Sequence, residues 1–296
     1  MQQKYDININ DAHKGYDPDT GWFSHALYVQ QQDELNPRGS SFSAYSPAYI
    51  TSNEQVREII DFLQPAGKTA LAIAGSGDIP LFLTAYDAVH VDTFDISYNA
   101  RVIMDIKAYM LQSKMYLCDY MCALRELSET RDVLNCKFGD VVRNALSPET
   151  LQYLDGMRGC KLFSQTTVIS MYNFCPDAIE FDDLQRKVHG SYNFIWSDLF
   201  DVYEQIKGNS YDIIYLSNVF QYIGNVKDIA SVVNNLRNVL NPNGVMVLDS
   251  LMPGTTMGAW TDTVRWKKYT ILRQIVSSWA ELIHDSKSRA LFLKAK

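Results

Sequence analysis

Residues 69–99 read TALAIAGSGDIPLFLTAYDAVHVDTFDISYN. The stretch holds an apolar run over about 69–74, a glycine turn, a helix-compatible segment over about 79–86, and a second apolar run over about 88–94 that ends at Asp95. Strand, glycine turn, helix, strand and a terminal acidic residue make the opening of a nucleotide-binding βαβ unit, and point to an adenosine-bearing ligand. In the turn Ala74-Gly75-Ser76-Gly77-Asp78, the glycines let backbone approach a ligand closely, and the following helix offers free N–H groups. The segment GSGDIP has Pro80 where a dinucleotide fingerprint has its third glycine, which argues against a pyrophosphate ligand.

Outward from this unit, α/β alternation continues on both sides. Val56, Ile59, Ile60 and Leu63 have helical spacing after Ser52-Asn53, and Pro65 and Gly67 end that helix. Residues 98–113 place Val102, Ile103, Ile106, Tyr109 and Met110 on one helical face. Alternation lapses over about 114–190, which reads as a mostly helical insertion. It resumes with strands at 192–196 and 212–217, a helix at 226–240 closed by the turn Asn241-Pro242-Asn243-Gly244, and a strand at 245–249. A long helix over about 261–285, with Leu272, Val276, Trp279 and Ile283 in phase, and a last strand RALFLK complete the pattern. The expected architecture is Rossmann-like α/β: an open, mostly parallel sheet with helices on both faces and ligands at the carboxyl ends of its strands. Residues 1–50, polar and dotted with aromatics, read as an irregular arm or lid over a domain formed by 51–296.

Bulk properties narrow the partners. The 296 residues carry a formal net charge of −7, so nucleic acid is a poor partner. The N-terminus MQQKYDININ is too polar for a signal peptide, and no run approaches the ~20 apolar residues of a membrane span. The five cysteines form no CxxC pair; Cys118 and Cys122, four apart, could place two metal ligands on one helical face, but read better as small buried residues in a reducing cytoplasm. The histidines show no metal-ligand spacing, so no metal is expected; oligomeric state is left open.

The polar residues at strand ends sketch a ligand site. Asp95, with Ile96 beside it, follows the second strand, where a carboxylate accepts from a ribose diol. The competing role for Asp95 or Ser97 is capping helix 98–113. Ser197-Asp198 ends the third strand, where an acid can accept from an adenine amino group. Ser217-Asn218 ends the fourth, where short polar side chains can hold an amino or carboxylate group or cap the helix after them. Lys107, flanking an apolar helix face, reads as a lysine that snorkels to water.

Together the glycine turn, Asp95, Ser197-Asp198 and LSNVFQYI resemble a class I S-adenosylmethionine-dependent methyltransferase fold over roughly 55–255. Within that fold LAIAGSGDIPLFL, FDISYNARVIMDIKAYML and YDIIYLSNVFQYI resemble the 3-amino-3-carboxypropyl transferases of betaine-lipid synthesis, which act on diacylglycerol. Lys107 falls at that family's lysine, and Ser217-Asn218 at its serine-asparagine. Ser97-Tyr98 stands where family members tend to have asparagine-proline. The resemblance implies S-adenosyl-L-methionine as cofactor, a small-molecule or lipid acceptor, and release of methylthioadenosine. Methyl transfer and cyclisation of the cofactor to azetidine-2-carboxylate are the alternatives. Tyr222, Tyr45, Tyr49 and Asp78 are candidates for a base, and arm aromatics could shield a sulfonium.

Overall fold

A computed structural model describes residues 16–17, 22–23, 46–52, 54–164, 178–189, 191–217, 219–221, 226–249, 269–284 and 290–296. The chain forms two compact units. One comprises Met1–Asn53, Ala74–Leu81 and Asp95–Gly190; the other comprises Glu54–Ile73, Phe82–Phe94 and Ser191–Lys296.

Among the described residues, one sheet has seven strands: β1 (Thr69–Ile73), β2 (His90–Asp95), β3 (Asn193–Trp196), β4 (Tyr211–Tyr215), β5 (Leu240–Asp249), β6 (Ala280–His284) and β7 (Ala290–Ala295). From one edge to the other the order is β3-β2-β1-β4-β5-β7-β6. β1 pairs in parallel with β2 and β4, β4 pairs in parallel with β5, and β7 runs antiparallel to both of its neighbours. The order 3-2-1-4-5-6 of a doubly wound nucleotide-binding sheet is thus preserved, with one antiparallel strand inserted before the last. This is a Rossmann-like α/β fold, with helices around a mostly parallel sheet whose last strands are antiparallel. β1 is apolar throughout its middle and fully buried there, as a central parallel strand must be.

The helices follow from their apolar spacing. In α1 (Val56–Leu63) Val56, Ile59, Ile60 and Leu63 are all buried, and Gln64 closes the helix in the left-handed region at φ 46°. α2 (Asp78–Ala85) is apolar nearly all round and buried accordingly, with Pro80 in its first turn, where no helical N–H is lost. α3 (Tyr98–Gln112) buries Val102, Ile103, Ile106 and Met110. The insertion is mostly helical where described: α4 (Leu117–Glu129), α5 (Gly139–Ala145), α6 (Pro148–Gly156) and α7 (Ala178–Lys187). A short α8 (Val202–Ile206) and α9 (Val226–Arg237) complete the set that can be given full bounds. In the second unit Leu71, Ile214, Val233, Leu248, Val276 and Leu291 belong to one apolar core.

Three sequence expectations fail here for identifiable reasons. Residues 269–276 are helical, but Ala280–His284 is a strand. It pairs with β7 from Ala280↔Ala295 to His284↔Leu291, a partner that helical phase cannot anticipate. The turn at 241–244 does not close α9, which ends at Arg237. It bulges out of β5, since Leu240 faces Tyr211 while Val245 already faces Ile213. Asp212 Oδ1 accepts from Asn241 Nδ2 at 2.8 Å and steadies that bulge. Finally, Cys118 and Cys122 are exposed on α4 rather than buried.

Candidate functional site

The turn leaving β1 is tight. Gly77 N donates to Ala74 O at 2.6 Å, and Gly75 and Gly77 take φ of 53° and 81°. These angles favour glycine, and the two glycines serve different ends. A Cβ on Gly77 would lie 2.9 Å from the Cα and Cβ of Met104, so its bareness lets the turn pack on α3. Among the described residues a Cβ on Gly75 would meet nothing within 4 Å, so they leave that backbone uncovered.

Asp95 stands beside the turn. Its Oδ2 accepts from Gly75 N at 2.9 Å and its Oδ1 from Ser97 N at 2.8 Å, and Ile96 N adds a third backbone bond. Burial outweighs these bonds and pushes its carboxyl up to about 6. Neither Asp95 nor Ser97 caps α3 through its side chain. Ser97 holds the N-cap position without a side-chain cap bond, and its Oγ donates to Ser46 O at 2.6 Å instead. Asn99 Nδ2 donates to the same carbonyl at 3.1 Å, while Asn99 Oδ1 accepts from Tyr153 OH at 3.0 Å.

Asp78 and Lys107 overturn two expectations. Both side chains are 0% exposed and form an ion pair. Lys107 Nζ also donates to Ser76 O at 2.9 Å, and Asp78 Oδ2 accepts from Ser52 N at 2.6 Å and Ser76 Oγ at 3.0 Å. Lys107 therefore does not snorkel. Burial pushes its ammonium below its usual range, and attraction to Asp78 pulls it back. Asp78, turned inward with both oxygens engaged, supports the turn and is poorly placed to act as a base. The signal for Lys107 was present in the sequence: Ile103, Met110 and Leu111 flank it at helical spacing, so it lies within the apolar stripe.

Tyr49, a base candidate, is partly exposed in a two-residue strand, Ala48–Tyr49, that pairs in parallel with Phe163–Ser164. Tyr45, Tyr222 and Asn218 lie outside the described residues, as do Cys175 and the first part of the expected 261–285 helix.

In the second unit, Ser197 is buried and its Oγ donates to Asp198 O at 3.1 Å. Asp198 Oδ1 accepts from Phe200 N and Asp201 N, both at 2.8 Å, so one carboxylate oxygen fixes the turn after β3. Ser217, two residues past β4, adopts φ 54°, a strained conformation for a serine. Its Oγ donates to Glu54 Oε1 across 163 positions of sequence. Glu54 is buried, and nothing in its local sequence marks it.

Among the described residues no group of three or more His, Cys, Asp or Glu could hold a metal ion, and no helix is long and apolar enough to cross a membrane.

Comparison with known proteins adds a family match. The family described as "Methyltransferase domain" matches residues 160–248. No curated protein matches the chain. Among solved structures, the chain is similar to the TehB-like SAM-dependent methyltransferase from Corynebacterium glutamicum, at 13% identity and TM-score 0.38, covering 95% of this chain and 100% of that one. N-methyltransferase NodS from Bradyrhizobium japonicum, in complex with S-adenosyl-L-homocysteine, is 12% identical at TM-score 0.39, covering 90% and 95%. An O-methyltransferase family protein from Burkholderia thailandensis is 10% identical at TM-score 0.36, covering 81% of this chain and 55% of that one. The chain spans about half the length of several such structures.

Proposed function

We propose that this chain is an S-adenosylmethionine-dependent transferase that moves the 3-amino-3-carboxypropyl group to a small-molecule or lipid acceptor. The observation that carries the cofactor is the pairing of an open glycine turn with Asp95. A carboxylate supplied, among the described residues, only with backbone donors, and raised to about 6, gains most from two further donors of the kind a ribose diol offers. The open space over Gly75 suits close approach of a ligand to backbone. Ser197-Asp198 is assigned to the adenine, and Ser217-Asn218 to the amino-acid end.

When bound, S-adenosylmethionine supplies carbons already activated by a sulfonium. The chain's own residues then have to bind, orient and exclude water, which is where much of the rate enhancement arises. Ala74 to Gly77 and Ile96 line the cofactor through backbone. Tyr49, Tyr45 and Tyr222 remain the proposed sources of a base, or of an aromatic face for the cation.

The choice of the aminocarboxypropyl group rests on the sequence segments around Gly75, Lys107 and Ser217. Methyl transfer is the second reading, favoured by the methyltransferase-domain match over 160–248. The test is to incubate the full chain with S-adenosylmethionine and fractionated cell extract, and to separate the nucleoside products. Methylthioadenosine is the expected product. S-adenosylhomocysteine alone would move the assignment to methyl transfer, and methylthioadenosine without any extract would point to cyclisation.

A further inference from the structure

The mechanism leaves one buried charge pair unused. Three chain segments converge on Asp78: residues 46–52 through Ser52 N, the glycine turn through Ser76 Oγ, and α3 through Lys107. The lysine makes a second bond, to Ser76 O, a carbonyl standing between two residues of positive φ. A turn of that shape directs its carbonyls away from the helix ladder, so this one needs a donor from elsewhere. Lys107 supplies it from beneath.

A charge is a costly donor in this position. Lys107 stands among Ile103, Ile106, Met110 and Leu111, all buried, and an apolar residue would suit that environment. Replacing buried ion pairs by apolar residues is often neutral or stabilising, so stability alone is a weak account of the pair. Shape is the better account. The turn is gripped on one side by Lys107 and Asp78, on another by Asp95 Oδ2 at Gly75 N, and seated on Met104 at Gly77.

We propose that Lys107 is a positioning residue for the cofactor: through Ser76 O and Asp78 it fixes the glycine turn in the shape that admits the ligand, and it touches no ligand itself. The proposal rests on the S-adenosylmethionine reading above, and its test separates the two. The full-length chain is titrated with S-adenosylmethionine by calorimetry, and Tm is measured on the same samples. No heat with the wild-type chain defeats the cofactor reading itself. With binding established, Lys107→Met is expected to lower both Tm and affinity, because it strands the Asp78 charge.

The deciding variant is Lys107→Met combined with Asp78→Asn, which leaves no stranded charge. Tm should recover most of its loss while affinity stays at least tenfold weak, and amide hydrogen exchange across 74–78 should stay faster than in the wild type. Recovery of affinity together with Tm would show that the lysine only neutralises Asp78, and would overturn the proposal. Should the double variant fail to fold, Asp78→Asn alone decides. Its amide oxygen can still accept from Ser52 N and Ser76 Oγ, while its NH2 replaces the oxygen that Lys107 pairs with and ends the ion pair, so affinity should fall at least threefold, and wild-type affinity would overturn the proposal.

Discussion

Strand β2 carries two buried carboxylates, Asp92 and Asp95, and they are treated in opposite ways. Asp92, toward the amino end, is supplied by side chains: Tyr211 OH at 2.5 Å, Asn193 Nδ2 at 3.0 Å, Asn209 Nδ2 at 3.3 Å and His90 Nε2 at 3.0 Å. Asp95, at the carboxyl end, accepts from backbone N–H groups alone among the described residues, and burial raises it to about 6. The first is a closed network whose donors come from β2 itself and from two other segments of the chain, Asn193 and residues 209–211. The Tyr211 hydroxyl is pushed well above its usual range, through burial first and the hydrogen bond to Asp92 second. The second is a carboxylate held in place but short of donors. Asp92 spends its hydrogen-bonding capacity on the fold, whereas in the function proposed above Asp95 keeps capacity for a ligand, at the strand end where such sheets bind ligands.

The sharpest way to break this contrast is to remove each carboxylate in turn. Asp92→Ala leaves the Tyr211 hydroxyl and two amides without their acceptor. The cost should be about 3 kcal/mol of stability, read as a fall in Tm of roughly 6–12 °C for a chain of this size. Affinity for S-adenosylmethionine should stay within about threefold, since the network serves the opposite end of the strand. A large loss of affinity without a loss of Tm would erase the distinction between the two ends.

Asp95→Ala should do the reverse. Losing the acceptor for a ribose diol should weaken S-adenosylmethionine by about 100-fold, roughly 2.7 kcal/mol. Tm of the ligand-free chain should fall less than with Asp92→Ala, because relief of a carboxyl that folding raises to about 6 offsets part of the loss of the acceptor for Gly75 N and Ser97 N. Calorimetry and a thermal melt on the same variant check both halves.

How far this contrast was legible in the sequence differs between the two residues. Asp95 could be picked out because the glycine turn, the strand and the acid are neighbours in sequence, and local order implies their geometry. Asp92 could not be interpreted, because its partners Asn193, Asn209 and Tyr211 lie more than 100 positions away. The same division holds elsewhere. Helices such as α1 and α3 follow from 3.6-residue spacing, and the parallel strands from short apolar runs. β6 has helical periodicity in its sequence, and its pairing with β7 is what makes it a strand. Glu54, bonded to Ser217, was invisible for the reason that hid the partners of Asp92. Lys107 was visible but misjudged, since a lysine in an apolar stripe has two resolutions and only the position of Asp78 decides between them.

The smallest effect is the most discriminating, because it reads Asp95 without altering the chain. The folded, ligand-free state holds Asp95 protonated up to about pH 6, against a usual value of 3.8, so its contribution to folding is present below about 3.8 and is lost as pH rises from there to 6. Ligand binding has the opposite sign. Hydroxyl donors favour the ionised carboxylate, so affinity for S-adenosylmethionine should be level above about pH 7 and should weaken about tenfold for each pH unit below 6. Titrations at pH 7.5, 6 and 5 measure that slope, and Asp95→Asn should flatten it, because an amide does not titrate. Asp92→Asn should leave the slope unchanged, since its network lies away from the ligand. A slope that survives Asp95→Asn would assign the titration to another group, and with it the claim that Asp95 is the carboxylate reserved for the cofactor would fall.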